Sequence, residues 1–367
     1  MPASHLYVHV PFCSRRCAYC DFSIAVRRSV PVDDYVSGLT LELDRLADRP
    51  RTTLDTVYLG GGTPSRLGVE GISRVLDLVR SRFDVAADAE VTIEANPEDI
   101  TTASVGGWQT SGVNRLSIGI QTFSDEVLRW MHRVHSADEG RRAIDTARAG
   151  GIENFSIDLI FALPEGVERR WDADLEQALA LEPPHISLYG LTIEASTPLA
   201  RWESRGLVAP PNEDRYAREF LLADSLASAA GYRHYEVSNF ARPGFESRHN
   251  SAYWTGASYI GIGPSAHSYD GTSRQWNVPA YADWLARLNG GDSIVADAEL
   301  LDEGNRASER VYLGLRTDRG LRAREADLEI AERWRGAGWA RIEDDVVRLT
   351  PEGWLRLDSL AAGLTGF

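Results

Sequence analysis

The stretch "HVPFCSRRCAYCDF", residues 9–22, contains all three cysteines of this 367-residue chain. Cys13, Cys17 and Cys20 are spaced C-x3-C-x2-C on a loop that follows a short apolar run. Thiolates are natural ligands of zinc and of iron–sulfur clusters. An odd and clustered set of cysteines cannot form the paired framework of a secreted protein, so the spacing indicates a metal or redox role.

Two metal centres and one metal-free arrangement are compatible with this loop. A tetrahedral zinc site needs a fourth ligand, which His5 or His9 could supply. A [4Fe–4S] cluster held by only three thiolates has one iron open to a substrate, and the spacing favours this site. In the metal-free alternative, three buried cysteines act as small hydrophobic side chains.

The cysteine loop follows the first of six strand-like runs, which alternate with helical patterns. The runs are 6–10 ("LYVHV"), 56–62 ("TVYLGGG"), 90–97 ("EVTIEANP"), 115–122 ("RLSIGIQT"), 154–164 ("NFSIDLIFALP") and 185–194 ("HISLYGLTIE"). Amphipathic stretches such as 32–46 and 72–79 lie between them. This alternation is typical of a parallel sheet covered by helices. It predicts an α/β fold, an incomplete (β/α)6 barrel, with an open doubly wound sheet as the alternative.

Polar residues and glycines stand at the ends of these runs, where such folds carry their chemistry. They are Cys13 after the first run, 60–63 after the second, Glu94 and Asn96 ending the third, Gln121 ending the fourth and Asp158 within the fifth. We expect them to converge on one rim. Taken singly each has a structural alternative: the glycines could form a tight turn, Glu94 could belong to a buried ion pair, and Asp158 could pair with Arg133.

Together, these features resemble the radical S-adenosylmethionine (SAM) superfamily. In that superfamily the open iron is chelated by the amino and carboxylate groups of SAM, and reduction of the cluster yields a 5′-deoxyadenosyl radical. The resemblance is to the oxygen-independent coproporphyrinogen oxidase group in order and spacing. It rests on "YVHVPFCSRRCAYCDF", "GGGTPS", "IEANPE", "RLSIGIQTF", "SIDLIFALP" and "LYGLTIE".

The resemblance implies a role for each matching position. Cys13, Cys17 and Cys20 would hold the [4Fe–4S] cluster, and Tyr7 and Tyr19 would flank the cluster and SAM. The implied SAM-binding residues are Gly61, Gly62 and Thr63 for the amino group and backbone, Glu94 for polar groups, and Gln121, Arg133 and Asp158 to complete the pocket. Glycines suit this role because they let the backbone approach a ligand closely.

Two details separate this chain from the coproporphyrinogen oxidases. Those proteins carry a further cysteine two residues after the third, where this chain has Phe22. The stretch "RHNSAYW", Arg248–Trp254, matches the H-N-x-x-Y-W signature of the heme chaperone family HemW. The resemblance therefore implies a chaperone that binds heme and transfers it to heme-dependent acceptor proteins, with respiratory enzymes as candidates. The alternatives are an anaerobic coproporphyrinogen III oxidase and a zinc-stabilised scaffold.

His249 is the expected heme ligand, because a histidine can ligate iron axially while Tyr253 and Trp254 offer flat surfaces to a macrocycle. In the alternative, His249 and Asn250 form a hydrogen-bonded turn and the aromatic residues belong to an interface core. Competing ligands are His267, His132 and His135.

Composition narrows the partners and the location. The chain has 39 Lys and Arg against 54 Asp and Glu, a net charge of −15 that repels phosphate backbones. Nucleic acid is therefore excluded as an expected partner. The sequence shows neither an apolar run of about 20 residues nor a secretory signal, which predicts a cytoplasmic protein. Peripheral membrane contact through acceptors and a homodimer stay open.

The expected domain organisation has three parts. Residues 1–234 would form the barrel with the cluster and SAM site, 235–300 a connecting region, and 301–367 a small α+β domain resembling a winged helix. That last part has 11 basic and 13 acidic residues, so protein contact or a lid role is expected rather than DNA binding.

Replacing any one of the three cysteines by alanine is expected to abolish the visible charge-transfer absorbance of thiolate-ligated iron. Absorbance spectra and iron content of anaerobically reconstituted variants measure this. A full iron complement in Cys17→Ala would contradict the assignment, and a reconstituted protein without iron–sulfur absorbance would favour zinc.

Overall fold

The computed structural model describes residues 3–46, 51–210 and 212–365. The predicted domain ends at residues 1 and 367 lie outside the described residues. The strands are β1 His5–Val10, β2 Phe12–Cys13, β3 Ala25–Val26, β4 Thr53–Gly61, β5 Asp84–Ala95, β6 Arg115–Gln121, β7 Phe155–Phe161, β8 His185–Gly190, β9 Arg233–Glu236, β10 Asn239–Ala241, β11 Tyr259–Ile262, β12 His267–Tyr269, β13 Ser273–Asn277, β14 Val295–Leu300, β15 Leu321–Arg322, β16 Ala340–Glu343 and β17 Val346–Leu349.

The helices cover the sheet and build the carboxyl-terminal part. They are α1 Val32–Asp44, α2 Gly68–Arg82, α3 Thr102–Thr110, α4 Asp125–Trp130, α5 Ala137–Ala149, α6 Trp171–Ala180, α7 Pro198–Ser204, α8 Glu213–Ala229, α9 Arg248–Trp254, α10 Tyr281–Gly290, α11 Glu303–Arg316, α12 Glu325–Gly336, α13 Pro351–Trp354 and α14 Leu357–Thr365. Short 3₁₀ turns cover Pro64–Leu67 and Pro97–Asp99. None of the helices described is both long enough and apolar enough to cross a bilayer.

The six predicted runs form the parallel centre of the large sheet. Its strand order is β14-β13-β12-β11-β1-β4-β5-β6-β7-β8-β10-β9, and neighbours from β1 to β8 are parallel. The sheet ends at β14 and β9, so the barrel is open. The predicted incomplete (β/α)6 barrel is confirmed.

The central strands form where the sequence is apolar on both faces. Nearly every residue of β6 ("RLSIGIQ") and β7 ("FSIDLIF") is buried. Helices cover the outer face, and the inner face forms the barrel interior. Polar side chains inside must therefore find partners within the protein, which determines the geometry of the site.

The region between the barrel and the carboxyl-terminal part contributes strands to the sheet as well as connecting the two. β9 and β10 extend it antiparallel beyond β8, and β11 pairs parallel with β1 before β12–β14 continue antiparallel. In the carboxyl-terminal part β16 and β17 form a hairpin that α13 and α14 follow, and β15 adds a third strand. This gives the small α+β unit expected at the carboxyl end.

Glu42 on α1 is a buried carboxyl that joins several elements. It accepts hydrogen bonds from the Gly263 backbone N–H (2.9 Å), Asn277 Nδ2 (2.7 Å) and Trp284 Nε1 (3.0 Å). These donors lie in the loop after β11, on β13 and on α10. Burial raises the pKa of Glu42 to about 7, despite the three donors.

Glu42→Gln is expected to flatten the pH dependence of stability. The folded pKa of about 7 lies above the reference value of 4.5, so the stabilising contribution is fully present below pH 4.5 and is lost as pH rises through 7. The shift corresponds to about 3 kcal/mol. Thermal unfolding midpoints at pH 5 and pH 8 should therefore differ less in the variant than in the wild-type protein.

Glu70→Gln, at the exposed start of α2, is the matched control and should retain the wild-type pH dependence. Equal pH dependence of Glu42→Gln and the wild-type protein would show that Glu42 does not carry this effect.

Candidate cluster and cofactor site

The carboxyl ends of the parallel strands enclose a cavity of about 430 Å³, the cysteine cavity. Among its lining residues are Cys13, Cys17, Cys20, Tyr19, Gly61, Gly62, Thr63, Glu94, Gln121, Arg133 and Asp158. All of the predicted cluster and SAM residues except Tyr7 thus line this one space, although they come from β2 and the loop after it, from β4 and the two residues that follow it, from β5–β7 and from the loop after α4.

The three thiols form one wall of the cysteine cavity. Cys13 ends β2 and is buried, whereas Cys17 and Cys20 are half-buried on the following loop. Cys13 Sγ lies 3.4 Å from Thr63 Oγ1, and Arg133 Nη1 donates to Cys17 Sγ at 3.7 Å. Burial raises the pKa of Cys13, and that of Cys20 to about 11. Thiolates here would need compensating positive charge, which an iron–sulfur cluster would provide when bound.

Glycines let the end of β4 approach the cysteine loop. Gly61 has φ 113°, and a Cβ at this position would lie 2.6 Å from the His9 ring. A Cβ at Gly62 would lie 2.8 Å from the carbonyl of Pro11 and 3.1 Å from Cys13 Sγ. Side chains at these positions would push apart the thiol wall and the strand end.

Glu94 is held at the base of the cavity by two donors. Its Oε1 accepts from Tyr58 Oη at 2.9 Å and its Oε2 from the Gly61 N–H at 3.0 Å. Burial, and next the nearby Asp158 carboxylate, raise the pKa of Glu94 to about 7. Glu94 therefore changes charge near neutral pH and can receive a cationic or hydroxyl group of a ligand.

Asp158 accepts from Ser117 Oγ and Ser156 Oγ, both at 2.7 Å. Burial raises its pKa although these hydroxyls stabilise the charged form. The alternative pairing of Asp158 with Arg133 is not seen. Asp158 is instead held by hydroxyls and faces the cavity with its remaining acceptor capacity.

Arg133 is oriented by neutral oxygens. Its Nη2 donates to Asn96 Oδ1 and to the Gly119 carbonyl, both at 2.8 Å. Its Nε is buried and has no partner in the described part of the chain. A half-buried guanidinium with an unused N–H suits an anionic ligand group.

Strained backbone borders the same cavity. Gln121 and His132 have φ values of 68° and 62°, in the left-handed region that non-glycine residues rarely adopt. The register of β6 against β7 shifts between Ile118 and Gln121. Such strain is concentrated at functional sites, where it redirects a side chain. Here it places Gln121 in the lining.

Residues that hold the acids were absent from the sequence prediction. Tyr58, Ser117 and Ser156 position Glu94 and Asp158 but were not singled out. The signal available was strand alternation, since Ser156 and Asp158 are two residues apart and face the same side. The pairing of Ser117 with Ser156 across β6 and β7 is not readable from sequence.

Tyr7 lies outside the lining of the cysteine cavity. It is in the middle of β1, and its hydroxyl is 3.1 Å from His9 Nδ1 in the barrel interior. His9 Nε2 in turn lies 3.0 Å from the Ser23 carbonyl. The ring nitrogens of His5 are 3.0 Å from Thr56 Oγ1 and 3.3 Å from Ser4 Oγ. Both candidates for a fourth zinc ligand are thus engaged elsewhere.

His249 is buried inside the barrel with both ring nitrogens in use. Nδ1 lies 2.7 Å from Thr56 Oγ1 and Nε2 lies 2.9 Å from Tyr253 Oη. Its ring stacks on Tyr58 at a centroid distance of 5.0 Å. Burial lowers the pKa of His249 to about 3, so the ring is neutral. In this arrangement both ring nitrogens belong to an internal hydrogen-bond network.

The competing histidines lie at different places. His132 is exposed at the rim of the cysteine cavity, and His267 is exposed on β12. His135 is buried, with Nε2 3.2 Å from the Ile120 carbonyl and Nδ1 3.6 Å from Glu98 Oε2.

The cysteine cavity fits an iron–sulfur cluster with SAM beside it. It combines three thiols on one wall, a glycine cradle that side chains would fill, two half-buried carboxyls and a guanidinium with an unused N–H. Within the described ranges, no group of three His, Cys, Asp or Glu side chains is arranged as the ligands of a single metal ion.

Comparison with known proteins agrees with this geometry. A model of the radical SAM superfamily matches residues 7–177. The solved structure described as coproporphyrinogen III oxidase (HemN) from Escherichia coli, a radical SAM enzyme, superposes with a TM-score of 0.84 at 23% identity, covering 98% of this chain and 89% of that chain. The chain thus has the fold of a radical SAM protein.

Curated relatives narrow the assignment further. A protein named heme chaperone HemW from Mycobacterium tuberculosis (strain H37Rv) is 38% identical over 98% of this chain and 94% of its own length. The protein of the same name from Escherichia coli (strain K12) is 42% identical over 73% of this chain and 70% of its own length. The chain belongs to the HemW family.

Proposed function

We propose that this protein binds heme and transfers it to heme-dependent acceptor proteins, with a [4Fe–4S] cluster and SAM bound in the cysteine cavity. The observation that carries the proposal is membership of the HemW family together with a cavity that brings three thiols and the predicted SAM-binding residues into one lining. The cluster would supply redox chemistry when bound, and the residues of the chain would position it and SAM.

In this proposal the lining residues have distinct roles. Cys13, Cys17 and Cys20 are the cluster ligands, with Tyr19 beside them. Gly61, Gly62 and Thr63 offer backbone and hydroxyl groups to SAM. The remaining SAM contacts come from Glu94, Gln121, Arg133 and Asp158. Tyr7 lies behind the cavity lining, where its hydroxyl contacts His9 Nδ1 and the His9 ring packs beside Gly61.

The proposal extends to domains and partners. The barrel core would comprise 1–234, the connecting region 235–300 and the carboxyl-terminal domain 301–367. The partners would be heme and heme-accepting proteins in the cytoplasm, with respiratory enzymes as candidates and no nucleic acid. The net charge of −15 supports the exclusion of nucleic acid.

Phe22 separates this function from coproporphyrinogen oxidation. It replaces the extra cysteine of the oxidases, lines the cysteine cavity and is 59% exposed. The similarity to HemN is a similarity of fold, and at 23% identity it does not indicate that this chain has the oxidase activity. Oxidase activity toward coproporphyrinogen would therefore overturn the proposal.

Asp158→Ala is expected to weaken SAM binding by roughly tenfold to a hundredfold, because loss of one charged hydrogen-bond partner costs about 1.5 to 3 kcal/mol. Calorimetric titration of the reconstituted protein with SAM measures this. The cluster absorbance should survive, since no thiol is changed. Asp138→Ala, exposed at the start of α5, is the control and should bind SAM normally. Unchanged SAM affinity in Asp158→Ala would remove Asp158 from the site.

Incubation of the reconstituted protein with heme and, separately, with coproporphyrinogen tests the function. We expect about one heme per chain by analogy with a single-site carrier, transfer of that heme to an apo-protein acceptor, and unchanged coproporphyrinogen even with reductant and SAM. Heme spectra and product analysis measure the two arms. Detectable decarboxylation by the native protein would overturn the chaperone function.

A further inference from the structure

A second cavity lies between the barrel and the carboxyl-terminal helices. Its volume is about 620 Å³, and it shares no lining residue with the cysteine cavity. One side is formed by the end of α9 and by β11–β13, and the other by α11 and α14. We call it the aromatic cavity, because its lining includes Tyr253, Trp254, Tyr259, Tyr269 and Tyr312.

The walls of the aromatic cavity suit a large flat ligand. Its volume is within the range of about 300 to 1,000 Å³ that is typical of ligand sites. Tyr253 and Tyr259 meet edge to face at a centroid distance of 4.7 Å, so the wall is a connected aromatic surface. The Trp254 Nε1 is buried and has no hydrogen-bond partner within the ranges described.

His267 gives this cavity a ring nitrogen that could ligate a metal ion. Its exposed side chain lies on β12 in the cavity lining and stacks on Trp276 at a centroid distance of 5.5 Å and an interplanar angle of 22°. No side chain or backbone group in the described chain hydrogen-bonds to its ring. Its pKa is lowered, mainly by partial burial, which favours the neutral ring that can ligate iron.

The other histidines are less suited to this role. His249 would have to give up its hydrogen bonds to Thr56 and Tyr253, and this would leave buried hydroxyls unsatisfied. Instead it holds the hydroxyl of Tyr253, whose ring forms part of the cavity wall. His132 opens into the cysteine cavity, which the cluster and SAM would fill.

The charged residues around the aromatic cavity would determine how a macrocycle with carboxylate groups is oriented. Arg274 is already paired with Glu299 (2.8 Å) and Glu309 (2.9 Å). Asp358 also lines the cavity. An anionic substituent placed beside the lining carboxylates of Glu309 and Asp358 would be repelled by them, whereas in solvent it stays hydrated. The apolar ring would therefore enter first and its carboxylates would face solvent.

We infer that the aromatic cavity holds the heme, with the macrocycle against Tyr253, Trp254 and Tyr259 and His267 as an axial ligand. This inference rests on the proposed heme-binding function and assigns it a place. It also gives the carboxyl-terminal helices a part in holding the cargo, since Tyr312 on α11 and Ala362 on α14 form the opposite wall.

Hemin titration of the cluster-loaded protein tests this assignment with two variants. Ala362→Trp should fill the cavity and weaken heme binding by about tenfold or more, because a bulky side chain leaves no room for the ring. His267→Ala should shift the Soret band, because an axial ligand is lost. Unchanged iron–sulfur absorbance and SAM affinity would show that both variants are folded.

Matched controls place the same changes elsewhere. Ala149→Trp, on the exposed side of α5, and His132→Ala, at the rim of the cysteine cavity, should both bind heme as the wild-type protein does. A normal affinity in Ala362→Trp together with a normal spectrum in His267→Ala would overturn the assignment while heme binding by the wild-type protein stands. So would a spectral change in His249→Ala or His132→Ala with none in His267→Ala. A wild-type protein that binds no heme would instead defeat the proposed function itself.

Discussion

The parallel direction of six strands is the constraint on which the rest of the structure depends. Because β1 and β4–β8 all end at one edge, residues far apart in sequence share one space. The loop after β2 brings three thiols, and β5 and β7 bring Glu94 and Asp158. A one-residue change of register would turn Glu94 and Asp158 to the opposite faces of their strands.

Placing two carboxyls in one cavity disfavours their charged forms, and hydrogen-bond donors on neighbouring strands partly compensate. Burial raises the pKa values of both Glu94 and Asp158, and the nearby Asp158 carboxylate raises that of Glu94 further. Tyr58 and the paired serines provide hydroxyl donors that keep the carboxyls oriented. Their ordered acceptor oxygens can then receive a polar ligand without first reorganising.

The features of the fold and the site that could be predicted from the sequence are those that local sequence patterns determine. The central strands and the cavity lining were predicted, because apolar runs, glycines and the cysteine spacing are local patterns. The strands β11–β14 were not, because they are short, mixed in polarity and defined by pairing with β1. Tyr7, predicted to flank the cluster and SAM, is not among the lining residues of the cysteine cavity, and its position along β1 depends on register. The aromatic cavity joins α9, β12 and α14, which only tertiary packing brings together.

His249, in the H-N-x-x-Y-W stretch, has a structural role within the barrel. A neutral imidazole has one donor and one acceptor, and here both face hydroxyls, those of Thr56 and Tyr253. Its ring also stacks on Tyr58, whose hydroxyl donates to Glu94. One buried chain of contacts therefore runs from the base of the cysteine cavity to the wall of the aromatic cavity. Because burial keeps the pKa of His249 low, its ring is neutral, and it links the walls of the two cavities without adding a buried positive charge.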